Sequence, residues 1–249
     1  MSKDKGKSSQ QRKTLAVIPA YNEEKTISDV ISNIKKHVPF IDILVVDDGS
    51  TDSTEVIAEK MKARVVRLPF NLGIGGAVQT GLMYAAMNNY DVAIQVDADG
   101  QHEPREINKF LKELEKDDAD VVIGSRFIEL AGDKSTYVRR VGIKILSLVL
   151  RLLTGCKVTD PTSGFRAANR QAIRFLSEIY PVDYPEPESI VILCRAGFRI
   201  KEIPISMSPR QGGTSSINSV NAVYYMLKVL LAILVNLFRD QAIKRRSHL

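Results

Sequence analysis

The sharpest chemical signal is a pair of carboxylates one residue apart, Asp97 and Asp99, within Gln95-Val96-Asp97-Ala98-Asp99-Gly100-Gln101-His102. If a strand ends there, both can lean toward one hard cation, directly or through water. Mg²⁺ and Mn²⁺ prefer such oxygen ligands and usually share them with substrate phosphates. A metal so placed neutralises charge that builds on a diphosphate leaving group. Gln101 or His102 could add a ligand or an outer contact, although a lone histidine is more often structural. An isolated Asp-x-Asp is usually a plain acidic turn; what raises this one is its company.

Two earlier segments have the same character. Pro19-Ala20-Tyr21-Asn22-Glu23-Glu24 follows an apolar run. Its proline fixes an exit turn, Tyr21 can stack on a base, and Glu23 can accept from base or ribose donors. Val46-Asp47-Asp48-Gly49-Ser50-Thr51-Asp52 follows a second run and offers Asp48 for the same purpose. Ser50 or Asp52 could instead cap the next helix. The segment Asn71-Leu72-Gly73-Ile74-Gly75-Gly76-Ala77 invites a dinucleotide reading, but Val78 stands where the third glycine belongs, and the motif should follow the first strand. A close backbone approach to a sugar nucleotide at Gly75 is the better expectation, and a plain tight turn is the bland one.

These segments need strands to end where they begin. Residues 15–18, 43–46, 65–68, 92–96, 121–123 and 200–205 are the strand candidates, and most are near-continuous β-branched runs, as strands covered on both faces should be. Between them, residues 23–37 carry Ile27, Val30, Ile31 and Ile34 on one helical face, and residues 104–116 do the same with Ile107, Phe110, Leu111 and Leu114. Strand–helix alternation predicts a mainly parallel sheet flanked by helices, with ligands at the carboxyl ends of the strands. Two stretches break the pattern: residues 139–153, apolar yet bearing Arg139, Arg140, Lys144 and Arg151, and a 17-residue run at 222–238 interrupted by Lys228 and Asn236. A spanning helix needs roughly 20 predominantly apolar residues. Both stretches read better as helices in a membrane interface, the alternative being a core helix or a dimer contact.

The 249 residues suffice for one sizeable α/β domain, and the formal charge of +6 is unevenly spread. Residues 1–13 sum to +4 and residues 239–249 to +3, leaving about −1 between them. Charge confined to tails suits anionic lipid and argues against nucleic acid as a partner. Cys156 and Cys194 are too few for a disulfide framework or a zinc site, so a reducing compartment is the default. The polar N-terminus carries no signal-peptide core, so a cytoplasmic location is expected.

In their order, AVIPAYNEE, VVDDGSTDST, NLGIGGAVQTG, DADGQHEP, GSRF and DPTSGFR resemble the motifs of family 2 glycosyltransferases with a GT-A fold. Within that family they are similar to the polyprenyl-phosphate sugar synthases, the group of dolichyl-phosphate mannose synthase and the undecaprenyl-phosphate glucosyl- and N-acetylglucosaminyltransferases. The resemblance spans roughly residues 14–216 as catalytic domain, between a basic tail at 1–13 and an apolar interfacial helix at 217–239 followed by a basic tail at 240–249. It implies that Pro19, Tyr21, Glu23, Val46 and Asp48 bind nucleotide, and that Asp97, Ala98 and Asp99 form the diphosphate and metal motif with Gln101 as a further metal ligand. It gives Arg126 to the acceptor phosphate and sets Glu188 near the sugar. Arg210 is retained from the family's closing segment, but Ser216 stands where a phosphate-facing lysine often falls. That departure points away from GDP-mannose and toward a glucose or N-acetylglucosamine UDP-donor with undecaprenyl phosphate as acceptor.

The expected reaction is therefore an inverting hexosyl transfer for cell-envelope glycan assembly, with Mg²⁺ or Mn²⁺ as cofactor. The expected partners are a nucleotide-diphosphate sugar, a polyprenyl phosphate lipid and the inner membrane surface, and the reading leaves room for a small membrane-protein partner. A GDP-mannose-dependent enzyme is one alternative. Another is transfer to a hydroxyl, which would need a general base such as Glu188 or Asp160. A third is a catalytically silent nucleotide-sugar-binding module.

Overall fold

The computed structural model describes residues 12–128, 137–208 and 228–233. Arg210, Ser216, residues 1–11 of the first tail, the whole second tail and most of the run at 222–238 therefore lie outside the described residues, as do the expected boundaries at 216 and 239.

Each of the six expected strands forms: β1 (Thr14–Ala20), β2 (Asp42–Asp47), β3 (Arg64–Arg67), β4 (Val92–Gln95), β5 (Val121–Ser125) and, last among the described residues, β7 (Ile200–Pro204). Their β-branched runs fit a sheet covered on both sides. One core layer gathers Ile18, Ile31, Ile34, Val45, Ile94 and Phe110, and the other gathers Leu15, Leu44, Val46, Leu82, Ile123 and Ile173. Alternate residues of one strand serve the two layers, as Val45 and Val46 do. The sheet order is β3-β2-β1-β4-β6-β5-β7. All neighbours run parallel except β6 (Arg166–Asn169), which lies antiparallel between β4 and β5. The sequence Arg-Ala-Ala-Asn gives β6 no branched run, so tertiary pairing alone makes it a strand.

Helices α1 (Ile27–His37), α2 (Thr54–Lys60), α3 (Gly73–Met87), α4 (Ile107–Glu115), α6 (Arg170–Ile179) and α7 (Pro185–Arg195) flank the sheet. The first begins at Ile27 rather than at 23, because residues 23–26 form a turn closed by the Thr26 amide on the Glu23 carbonyl at 3.0 Å. Likewise Pro104–Glu106 winds as a 3₁₀ turn before α4. Helix α5 (Tyr137–Thr154) covers the apolar basic stretch. It packs through Leu146 and Leu150 against Val191 of α7 and against Val229 and Ile233 of a helical segment at 228–233. Among the described residues no helix is long and apolar enough to cross a membrane.

The cysteines correct the expectation of a reduced pair: Cys156, just past α5, is disulfide-bonded to Cys194 of α7. Folding brings together what 38 residues separate in the chain. Closing a loop of that length removes unfolded-state entropy worth about 4 kcal/mol. Cys156→Ser should accordingly lower the denaturation free energy by a large part of that amount. The same unfolding experiment with a dithiol reductant should affect the parent protein and leave the variant unchanged.

Candidate active site

The strand order turns at β1, whose neighbours β2 and β4 continue in opposite directions. A parallel sheet opens a crevice at the carboxyl ends of such strands. The chain places Ala20-Tyr21 on one lip of it and Asp97 to Asp99 on the other.

On the first lip, two of the sequence motifs are zipped together. The Asn22 amide donates to Ser50 Oγ at 2.9 Å, the Glu23 amide to Thr54 Oγ1 at 2.8 Å, and the Thr51 amide to Asn22 Oδ1 at 2.9 Å. Asp52 accepts from the Thr54 amide at 2.9 Å and the Glu24 amide at 3.1 Å, so it heads α2 as a capping group rather than facing the cleft. Burial opposes its ionisation, but the Thr54 hydroxyl and these amides outweigh it and hold the carboxyl below its ordinary range. Tyr21, by contrast, is left 46% exposed at the rim, free to lie against a planar ligand.

Several predicted contacts sit differently. Pro19 and Val46 face each other in the strand register and are both buried, so they shape the crevice and present no side chain to it. Asp48 is buried, and its two oxygens accept from the Leu72 amide at 2.7 Å and the Gly73 amide at 2.9 Å. It thus caps α3 and pins the glycine-rich loop, although burial raises its pKa against those two bonds. Gly75 also changes role. A Cβ there would meet the carbonyl oxygens of Pro181 and Val182 at 2.5 Å, so its missing side chain admits the protein's own backbone rather than a ligand.

On the second lip, Asp97 keeps 35% of its side chain exposed, Asp99 is 5% exposed, and Ala98 between them is buried in the core. Gln95 Nε2 donates to Asp97 Oδ1 at 3.0 Å, and the Gln101 amide donates to Asp99 Oδ1 at 3.0 Å. The Gln101 carbonyl accepts from the Ser208 amide at 2.9 Å. The oxygens are hard donors suited to a divalent cation. Among the described residues no three His, Cys, Asp or Glu side chains form a cage, so a cation here would complete its shell with phosphate and water.

The DPTSGFR loop closes over this lip, and its organisation was not readable from the sequence. Gly164 passes so near Asp97 that a Cβ would lie 2.8 Å from Gln95 Nε2 and 3.3 Å from Asp97 Oδ2. Arg166 is buried and donates to the carbonyls of Ser163, Pro161 and Glu186 at 2.6, 3.0 and 2.8 Å, and to Ser189 Oγ at 2.8 Å. It thereby ties the loop to the first turn of α7, which holds Glu186 and the buried Glu188. Burial pushes the Glu186 carboxyl up, and the Arg166 charge pulls against it. Only Arg166's place inside a recognisable motif could have drawn attention to it.

Arg126 is also committed. Its Nε and Nη2 form a bidentate pair with Asp160 at 2.7 Å each, and Nη2 reaches Thr162 Oγ1 at 2.9 Å. Asp160 has no exposure, and the amides of Asp160 and Thr159 lie on Glu202, whose own carboxyl is raised by burial. A carboxylate sealed under an arginine is no general base for a hydroxyl acceptor. That removes Asp160 from the role, and an acceptor phosphate would share Arg126 with it.

Comparison with known proteins bears on this arrangement. The model of glycosyl transferase family 2 matches residues 15–176. A UDP-N-acetylglucosamine–dolichyl-phosphate N-acetylglucosaminyltransferase from Methanococcus voltae is 35% identical, over 76% of this chain and 83% of its own. A polyprenol monophosphomannose synthase from Mycolicibacterium smegmatis is 30% identical, over 88% of this chain and 86% of its own. Among solved structures, glucosyl-3-phosphoglycerate synthase from Mycobacterium tuberculosis, in complex with Mn²⁺, UDP and glucosyl-3-phosphoglycerate, superposes with a TM-score of 0.69 at 25% identity. That match covers 91% of this chain and 80% of the other.

Proposed function

The chain belongs to glycosyl transferase family 2 and has its GT-A fold, and we propose that it moves a hexose from a UDP-sugar to a polyprenyl phosphate at the inner face of a membrane. Glucose and N-acetylglucosamine are the favoured sugars. The observation that carries the reading is the crevice between β1 and β4, with exposed Tyr21 on one lip and the Asp97/Asp99 pair on the other. The relatives support the acceptor class, since those from Methanococcus voltae and Mycolicibacterium smegmatis are both named for polyprenyl-type lipid phosphates.

In this reading Tyr21 takes the base, Glu23 the base or ribose, and Asp97, Asp99 and Gln101 hold a divalent cation on the diphosphate. That Mg²⁺ or Mn²⁺ supplies counter-charge for the departing UDP. The family resemblance assigns Glu188, buried in the first turn of α7, to the sugar. A phosphate oxygen of the acceptor attacks the anomeric carbon in line, with inversion, and the bond to UDP breaks. Because that phosphate is anionic near neutral pH, the chain needs no strong general base, which fits the sealing of Asp160 under Arg126. Arg210 and a shared Arg126 orient the acceptor, so positioning and electrostatics supply the acceleration.

The lipid end of the reading draws on α5. Val141, Ile145, Leu148 and Leu152 are all exposed along one side of it, with Lys144 and Arg151 beside them. We assign this side to the membrane surface, with the basic groups toward anionic headgroups.

The test is transfer of radiolabel from a panel of UDP- and GDP-sugars to a short-chain polyprenyl phosphate, with Mn²⁺ or Mg²⁺. An organic-extractable, acid-labile product from a UDP-hexose is expected. Label from GDP-mannose alone would reassign the donor, and label on a hydroxyl-linked, acid-stable product would overturn the acceptor.

A further inference from the structure

We infer that His102 is a positioning residue that holds the Asp97 carboxylate in the orientation a divalent cation needs. The inference rests on the metal-site reading above and goes beyond it, because His102 has no place among the ligands proposed there.

The ring is buried, with 4% exposure, and each of its edges is engaged. Nδ1 takes the Asp97 amide at 2.9 Å. A backbone amide can only donate, so Nδ1 is the acceptor and the ring N–H stands on Nε2. That N–H faces Asp97 Oδ2 at 3.5 Å, an N–H dipole alongside the carboxylate and too long for a formed hydrogen bond. Gln95 Nε2 holds the other oxygen, Oδ1, at 3.0 Å. The carboxylate thus has a bonded donor on Oδ1 and the Nε2 N–H alongside Oδ2, while 35% of the side chain stays exposed.

The ring in turn is fixed by groups remote in sequence. It stacks on Phe165 with centroids 4.5 Å apart and planes at 10°. Its backbone bridges antiparallel to Met207, beside the Ser208 amide on the Gln101 carbonyl. One residue therefore joins the Asp97 loop and the DPTSGFR loop through its side chain, and the segment that leads on to Arg210 through its backbone. Outer partners that orient metal ligands commonly contribute 10- to 100-fold to metal affinity. A residue serving only to fill the core would contribute to folding and nothing to the metal.

The test measures Mn²⁺ affinity directly, by electron paramagnetic resonance of free Mn²⁺ in the presence of saturating UDP. His102→Asn keeps an acceptor near the Nδ1 position and loses the Nε2 donor; His102→Gln can return a donor there. The expected result is Mn²⁺ affinity weakened about 10-fold or more in His102→Asn and less in His102→Gln. The KM for Mn²⁺ should rise in parallel, with kcat recovered at saturating metal. Phe165→Leu, which frees the ring without touching it, should shift Mn²⁺ affinity the same way and decides the matter if His102→Asn does not fold. Wild-type Mn²⁺ affinity in folded His102→Asn, or in folded Phe165→Leu where His102→Asn does not fold, would overturn the inference alone. No Mn²⁺ binding by the parent protein would overturn the metal-site reading and the inference with it.

Discussion

Asp97→Ala and Asp99→Ala are each expected to reduce sugar transfer on the order of a thousandfold or more while the protein stays folded. A metal on a departing diphosphate contributes several kcal/mol of charge stabilisation in the transition state, and about 4 kcal/mol corresponds to that factor. The folding cost is smaller. Asp97 is partly exposed and accepts one side-chain bond, from Gln95. Asp99 is buried and accepts the Gln101 amide, so alanine leaves that donor unmatched at a cost of about 1–3 kcal/mol. The asymmetry gives the experiment its resolution: Asp99→Ala should lower the melting temperature by more than Asp97→Ala, while both lose transfer. Asparagine at either position keeps the shape and removes the charge, so the thermal effect should shrink and the catalytic one persist. Full activity in either alanine variant, or of the parent protein in excess EDTA, would sink the metal role.

The strands were legible because five of the seven among the described residues are built on β-branched runs, and such runs suit a sheet buried on both faces. β6 was not, since Arg166–Asn169 has no such run and becomes a strand only by fitting between β4 and β5. The same division holds for the site. Residues whose chemistry is intrinsic, Asp97 and Asp99, stand where the sequence pointed, at the end of β4. Residues whose role depends on what folds against them were harder to place. Asp48 has the right type for a ribose ligand, yet in the folded chain it answers the amides at the head of α3. Gly75 looks like part of a ligand loop, and its bareness is required by residues 181 and 182, remote in sequence. Asp160 and Arg126 lie 34 residues apart and neutralise each other, which neither motif foretells. Cys156 and Cys194 show the same limit: their number argued against a disulfide, and their proximity in the fold allows one.

Leu148→Asp combined with Leu152→Asp is expected to release the protein from anionic vesicles by about two orders of magnitude. At about 100° per residue, Val141, Ile145, Leu148 and Leu152 fall on one narrow side of α5, opposite the buried Ile143, Leu146 and Leu150. Among the described residues nothing covers this side, for these four residues are 38–75% exposed while the buried three complete the core. Lys144 and Arg151 lie together along one flank of the apolar side, as suits a helix lying flat with its charges at headgroup depth. Burying a leucine contributes about 1.5–3 kcal/mol, so losing two costs roughly 3 kcal/mol or more, and each 1.4 kcal/mol is tenfold in partitioning. Lys144→Glu with Arg151→Glu should weaken binding by a smaller, salt-sensitive amount, near 1 kcal/mol for each positive charge lost. Because the substitutions lie on a side remote from the core, the melting temperature should hold. Transfer to a short, water-dispersed polyprenyl phosphate should survive while transfer to long-chain acceptor in vesicles falls. Unchanged vesicle binding by the double aspartate variant would take the membrane away from α5, and loss of transfer to both acceptors alike would mean that α5 supports the catalytic site itself.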